Sequence, residues 1–398
     1  MNDLTRDGPA LARFRAAVFA DAGLQDALNG IDDVDRFVAA ALPLASARGF
    51  SVAADELRAA LAGRPLPISG FSDAPLTSVR PLQQWLPIQV VGGAGGPCVE
   101  WAYFGPDGPA EPFFQDTVTK VLRRPINRLA MHRTALSMLT DVAQPGPSLP
   151  LSGLIFHMSR CGSTLVSRML AQDRRNIVIS EAPPVDAIVR SDTDPARSEG
   201  LVAMLAALVR ALGRKRAPWQ ERFFVKLDSW HILHLPLFRR AFPDVPWIFL
   251  FREPVEVLAS QVIQRGIQTV PEYLPGSYFG LSEDEAESSD DYCALVLRQI
   301  CRAALAHRPL GGGRLINYRD LPQAVWSEIL PHFGVACGEE DRSRLAQAAQ
   351  FDAKSPGLTY AGDNASKLAA MTEELKTTAN RRLGNVYAQL EALRSQGK

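Results

Sequence analysis

The chain has 398 residues, 46% hydrophobic and 22% charged, enough apolar material for a large core spread over two or three domains. Its 43 basic and 43 acidic residues cancel, so net charge gives no case for nucleic acid or an anionic membrane as partner. The five cysteines are scattered and odd in number, and the six histidines show no ligand spacing, which argues against a disulfide framework and a metal site. The N-terminus lacks a basic-then-apolar pattern, and no apolar run approaches the roughly 20 residues of a membrane span. A cytoplasmic protein without membrane contact is expected.

Residues 9–62 carry apolar residues at helical spacing (Leu11, Phe14, Val18, Phe19, then 24–28, 34–45 and 54–61). Asp21, Asp32 or Asp33, and Ser51 are candidate caps, and Gly49 is a helix stop. The run from Phe14 through Asp21, Leu24-Gln25, Phe37 and Gly49-Phe50-Ser51 to Glu56-Leu57 resembles the nitrogen-fixation-type leader-peptide domain. That resemblance implies a protein partner docking through residues 9–62, or mimicry of a substrate leader. Residues 63–80 are Pro-, Gly- and Ser-rich and read as a linker. Residues 85–104 read as a hairpin around Gly92-Gly93-Ala94-Gly95-Gly96, with helices over 112–122 and 129–142 and a second linker over 145–150.

From residue 151, apolar strands alternate with helical patterns, which predicts a parallel α/β sheet. Residues 154–170 read as strand, short loop and helix, with Ser159-Arg160-Cys161-Gly162-Ser163-Thr164 between. Backbone N–H groups at such a helix start bind anions. The loop departs from a nucleotide-kinase loop, in which a Gly opens the motif and a Lys follows the last Gly. Here His157 and Ser163 occupy those positions, and the cation is Arg160, ahead of Gly162. Helix-terminal N–H groups and Arg160 would lower the Cys161 pKa, so an alkylation-sensitive thiol is expected.

A second constellation follows. Residues 247–251 are a wholly apolar strand, and Arg252 stands at its C-terminal end, where doubly wound sheets bind ligands. Pro254 suits the next helix's first turn, and Ser260 lies eight residues beyond Arg252. A cation and a hydroxyl so spaced can grip one phosphate. With the first loop, this pattern resembles the P-loop sulfotransferases that use 3′-phosphoadenosine 5′-phosphosulfate (PAPS), over roughly residues 151–335. Weaker matches are the strand ending before Glu181-Ala182-Pro183-Pro184, the strand Phe223-Phe224-Val225-Lys226-Leu227-Asp228, and Tyr318-Arg319-Asp320-Leu321.

The resemblance implies a PAPS co-substrate held by Ser159, Arg160, Cys161, Gly162, Ser163 and Thr164 at the 5′ end. It implies Arg252 and Ser260 at the 3′-phosphate and Tyr318 near the adenine. Arg160 would stabilise charge on the leaving group, so it counts as catalytic. The base that takes the acceptor proton is Asp228 or Glu181, with His157 and His231 behind them. The family's C-terminal Arg-Lys-Gly loop is not recognisable; Lys354, Lys367, Arg381 or Arg382 would have to replace it. Residues 264–291 form a long loop of the kind that contacts acceptors. Residues 367–393 read as a long charged amphipathic helix.

The expected architecture is a P-loop parallel sheet flanked by helices, preceded by a small helical module and a small α+β cap. Its expected segments are 1–64, 65–150, 151–345 and 346–398. The expected activity is sulfuryl transfer to a hydroxyl or amine of a small molecule, peptide or natural-product intermediate. A kinase-like phosphotransferase and a non-catalytic nucleotide- or peptide-binding protein remain the alternatives.

Overall fold

The computed structural model describes residues 8–62, 84–92, 96–106, 108–109, 111–140, 148–191, 198–271, 273–282, 284–350 and 370–396. The linker expected at 63–80, most of the glycine run and residues 145–147 lie outside them. The chain divides into two compact units, Met1–Pro150 with Glu181–Glu221, and Leu151–Ser180 with Arg222–Lys398. The sequence expectation of four segments differs in one respect above all. Glu181–Glu221 falls inside the expected 151–345 domain but counts with the first unit.

The first unit opens with four helices, α1 (Pro9–Ala20), α2 (Ala22–Leu28), α3 (Val34–Ala47) and α4 (Ala54–Ala62). Asp21 accepts the Leu24 N–H at 3.0 Å to cap α2, and Asp33 accepts the Arg36 N–H at 2.8 Å to cap α3. Ser51 precedes α4 by three positions and does not cap it. These helices share a core with the elements that follow. The Phe19 ring lies 4.8 Å from Trp85 in β1 (Trp85–Val91). The chain then forms β2 (Cys98–Tyr103), antiparallel to β1, followed by α5 (Phe114–Val121) and α6 (Pro125–Ala130).

The helix expected over 129–142 is not formed. After Ala130 the chain makes β3 (His132–Ala135), paired antiparallel with β2, and then a 3₁₀ turn over Leu136–Leu139. Leu129, Leu136 and Leu139 mimic helical spacing, but cross-strand bonds outweigh it. The Trp101 indole donates to Thr134 Oγ1 at 2.8 Å, and Arg133 pairs with the buried Glu100 at 2.6 Å.

The second unit is built on β4 (Leu151–His157), α7 (Ser163–Ala171) and β5 (Asn176–Ser180). The chain leaves it for α8 (Pro183–Arg190) and α9 (Ser198–Leu212) of the first unit, then returns. There follow β6 (Arg222–Lys226), α10 (Leu235–Ala241), β7 (Trp247–Phe251), α11 (Pro254–Ile263), α12 (Ser289–His307) and β8 (Gly313–Asn317). The unit ends with α13 (Leu330–His332), α14 (Glu339–Ala348) and α15 (Glu373–Gln396). The five strands form a parallel sheet in the order β5-β6-β4-β7-β8. β7 is wholly apolar and buried, and β4 is buried from Gly153 onward, as two-sided burial in a parallel sheet demands.

The topology locates the ligand crevice. From β4 the chain moves towards β5 and β6; from β7 it moves the opposite way, to β8. The carboxyl ends of β4 and β7 therefore form the switch point, where open α/β sheets bind ligands. Two bonds seam that point: the Met158 N–H donates to Leu250 O at 3.0 Å, and the Arg252 N–H to Met158 Sδ at 3.3 Å.

The apolar stripe of α15 (Leu375, Ala379, Leu383, Val386, Leu390) packs on α11, α12 and β8. Its basic side clasps the start of α12: Arg382 reaches Asp291 Oδ2 at 2.6 Å, and Arg381 reaches Glu287 at 2.8 Å and Asp291 at 3.0 Å. Burial alone would raise the Asp291 pKa. The Arg382 hydrogen bond, the Glu287 N–H and the two guanidinium charges outweigh it and hold the carboxyl below its usual range. The sign of the linkage follows: the clasp's contribution is complete above the unfolded carboxyl value of about 3.9 and is lost as pH falls through the lower folded value. The melting temperature of the wild type should therefore fall more steeply below pH 4 than that of Asp291→Asn; parallel curves would contradict the clasp. Among the described residues, no helix is long and apolar enough to cross a membrane.

Candidate functional site

The loop after β4 is held open by its backbone. Ser159 and Arg160 adopt left-handed φ values of 79° and 53°, and Gly162 a φ of 86°. Each non-glycine instance costs about 1–3 kcal/mol and persists only where the surroundings impose it. His157 is one such constraint. Its Nδ1 accepts the Ser159 N–H at 3.0 Å, which leaves the proton on Nε2, donated to Leu227 O at 2.9 Å. Both ring nitrogens are thus engaged with backbone, and His157 is a brace for the loop; the reserve role as base is corrected. Gly162 is required twice: for its φ, and because a Cβ there would lie 2.7 Å from Leu321 and 2.8 Å from Tyr318. No side chain caps α7 at Gly162, so the first-turn N–H groups of Ser163 and Thr164 have no intrahelical acceptor and the helix dipole favours an anion there.

Charged groups converge on this loop. Arg160 Nε donates to Ser260 Oγ at 2.8 Å and its Nη1 to Gln264 Oε1 at 3.1 Å. The sequence assigned Arg160 and Ser260 to opposite ends of the nucleotide; here they are hydrogen-bonded. Arg252 stacks on the Tyr318 ring, 4.0 Å from its centroid, and its Nε donates to Glu256 at 2.5 Å. Its Nη1 lies 3.5 Å from Arg160 O. The cation beside the helix start is Lys226, 1% exposed, with Nζ 3.5 Å from Thr164 Oγ1. Sequence reasoning passed over Lys226 as a site residue. Its signal was there, because a lysine directly after the apolar run Phe223-Phe224-Val225 is costly to bury without a task.

Asp228 follows β6 and opens the 3₁₀ turn Ser229–His234, with Oδ2 3.8 Å from Nε2 of the buried His231. Glu181 follows β5 with a left-handed φ of 53° and belongs to the first unit. The loop, Lys226, Asp228, Arg252, Ser260 and Tyr318 all belong to the second.

Cys161 departs from expectation. Its side chain turns beneath the loop and donates to Leu250 O at 3.2 Å, with no exposed surface. Burial pushes its pKa up to about 12, against the smaller pull of nearby N–H groups and cations. Only its backbone N–H remains for an anion. Brief iodoacetamide treatment of the native protein is expected to spare Cys161 and to label Cys337, the one cysteine of the five that is not buried. Prompt native labelling of Cys161, read by peptide mass spectrometry, would contradict this placement. The C-terminal cations also differ from expectation: Arg381 and Arg382 are engaged with Glu287 and Asp291. Lys354 and Lys367 lie outside the described residues.

No protein-family model matches the chain, and no curated protein matches its sequence. Its structure is similar to solved sulfotransferases. One is the sulfotransferase domain from the curacin biosynthetic pathway, at 19% identity over 62% of this chain and 99% of that one, with a TM-score of 0.36. Another is sulfotransferase STF1 from Mycobacterium tuberculosis H37Rv, at 13% identity over 65% and 83%, with a TM-score of 0.39. A third is mouse sulfotransferase SULT7A1 complexed with PAP, at 11% identity over 64% and 88%, with a TM-score of 0.33. Each match leaves more than a third of this chain uncovered, and the function of this chain rests on its own residues.

Proposed function

We propose that the protein transfers the sulfuryl group of PAPS to a hydroxyl or amine. The observation that carries this reading is the meeting of Arg160, Arg252, Ser260 and Tyr318 around a left-handed anion loop at the sheet's switch point. The donor set fits such a nucleotide. Arg252 and Ser260 offer a cation and a hydroxyl to a 3′-phosphate, and Tyr318 an aromatic face to the adenine. The N–H groups of residues 160–164, with the Ser159, Ser163 and Thr164 hydroxyls, serve the 5′ end.

Sulfuryl transfer depends on in-line positioning and on neutralising charge at the departing phosphate. Lys226 and the α7 N-terminus carry that charge in this reading. Arg160, held between Ser260 and Gln264, has its carbonyl beside Arg252 and ties the two ends of the site together. The acceptor oxygen bonds to sulfur as the bond from sulfur to the 5′-phosphate oxygen breaks, and the acceptor proton passes to a carboxylate. Asp228, two residues from Lys226 at the same strand exit, is the favoured base. The leader-like pattern of residues 9–62 favours a peptide or natural-product intermediate as acceptor.

The test is isothermal titration of the wild type with 3′-phosphoadenosine 5′-phosphate (PAP) and, separately, with Mg²⁺ and ATP. Micromolar or tighter PAP binding without ATP binding is expected. ATP binding without PAP binding would replace this reading with a kinase-like one.

A further inference from the structure

Gln261 is fully buried, one residue beyond Ser260, and a buried amide must satisfy both of its ends. One end accepts the Gly266 N–H at 2.7 Å; a backbone N–H only donates, so that end is the oxygen. The other end is therefore the amino group, and it donates to Ser159 Oγ at 3.1 Å. This fixes the polarity of a second bond. With Ser159 Oγ acting as acceptor towards Gln261, its own O–H proton must go elsewhere, and no acceptor among the described residues takes it. The Ser159 backbone is pinned as well, at φ 79° with its N–H on His157. What remains of Ser159 is one oriented hydroxyl proton in a loop whose amides suit an oxyanion.

We propose that Gln261 is a positioning residue that sets the Ser159 hydroxyl as a hydrogen-bond donor to the anionic group held by the loop. The same amide grips the segment that begins at Gly266 and turns at Ile267–Thr269, so the loop and that segment share one buried side chain. The inference rests on the sulfuryl-transfer reading for the identity of the anion, not for its charge.

A double-mutant cycle tests it, with wild type, Ser159→Ala, Gln261→Leu and the double variant titrated with PAP and with inorganic sulfate. Ser159→Ala is expected to weaken PAP about tenfold, as for one hydrogen bond to a charged group. Gln261→Leu should do nearly the same, and the double variant should bind no worse than Ser159→Ala. If Gln261→Leu lowers the melting temperature, Gln261→Glu replaces it: its carboxylate keeps the Gly266 bond but draws the Ser159 proton to itself, and should match Ser159→Ala. Additive losses would make Gln261 merely structural and overturn the proposal. So would PAP binding that neither substitution alters, while leaving the sulfuryl-transfer reading intact. Sulfate binding without PAP binding, weakened jointly by both substitutions, would reject that reading and keep the Gln261–Ser159 pair. Binding of neither anion overturns both.

Discussion

Replacing Arg252 with alanine is expected to weaken PAP binding about 10- to 150-fold, the range for hydrogen bonds to a charged group of roughly 1.5–3 kcal/mol. Its guanidinium is fixed on one side by the Tyr318 ring at 4.0 Å and on Nε by Glu256, which leaves its outer N–H groups aimed as a unit. The substitution should also loosen Tyr318, because the stack is lost. Adenosine 5′-phosphosulfate, which has no 3′-phosphate, supplies the control. Its affinity should change far less than that of PAP. Equal losses for both ligands would show that Arg252 does not read the 3′-phosphate.

Lys226→Met should separate turnover from nucleotide binding. Lys226 is 1% exposed, and its Nζ stands beside Thr164 at the start of α7. If it neutralises the leaving phosphate, kcat should fall about 10²- to 10³-fold, as when one preorganised donor is removed from a transition-state site. KM for PAPS should move much less. Turnover nearly abolished with nucleotide binding largely kept is the expected pair of results. Unchanged kcat would exclude Lys226 from the reaction.

Much of the second unit was legible because its signals are local. An apolar strand, a loop of hydroxyls around Gly162 and a helical pattern sit within residues 154–170, and the interval from Arg252 to Ser260 follows from helix geometry alone. The strand over 247–251 coincides with β7. What was not legible depends on neighbours distant in sequence. Leu129–Leu139 spaces like a helix, and only pairing with β2 makes part of it β3. Cys161 reads as an activated thiol until its side chain is seen against β7, and His157 reads as a base until both nitrogens are seen on backbone. Arg160 and Ser260 are 100 residues apart, and no spacing rule reports their 2.8 Å hydrogen bond. Arg381 and Arg382 looked available for a phosphate because their carboxylate partners, Glu287 and Asp291, lie some 90 residues earlier.

The last described helix also orders events during synthesis. Leu375, Ala379, Leu383, Val386 and Leu390 of α15 cover α11, α12 and β8, which are translated well before it. Until residue 396 has left the ribosome, those three elements keep an apolar face uncovered, and Asp291 waits without the two arginines that clasp it. The helix that carries Ser260 and Gln261 is among the elements left waiting. Assembly of the anion site is thus tied to the emergence of α15, and the interval before it is one in which a nascent chain's uncovered apolar surface is prone to aggregate or to be held by chaperones.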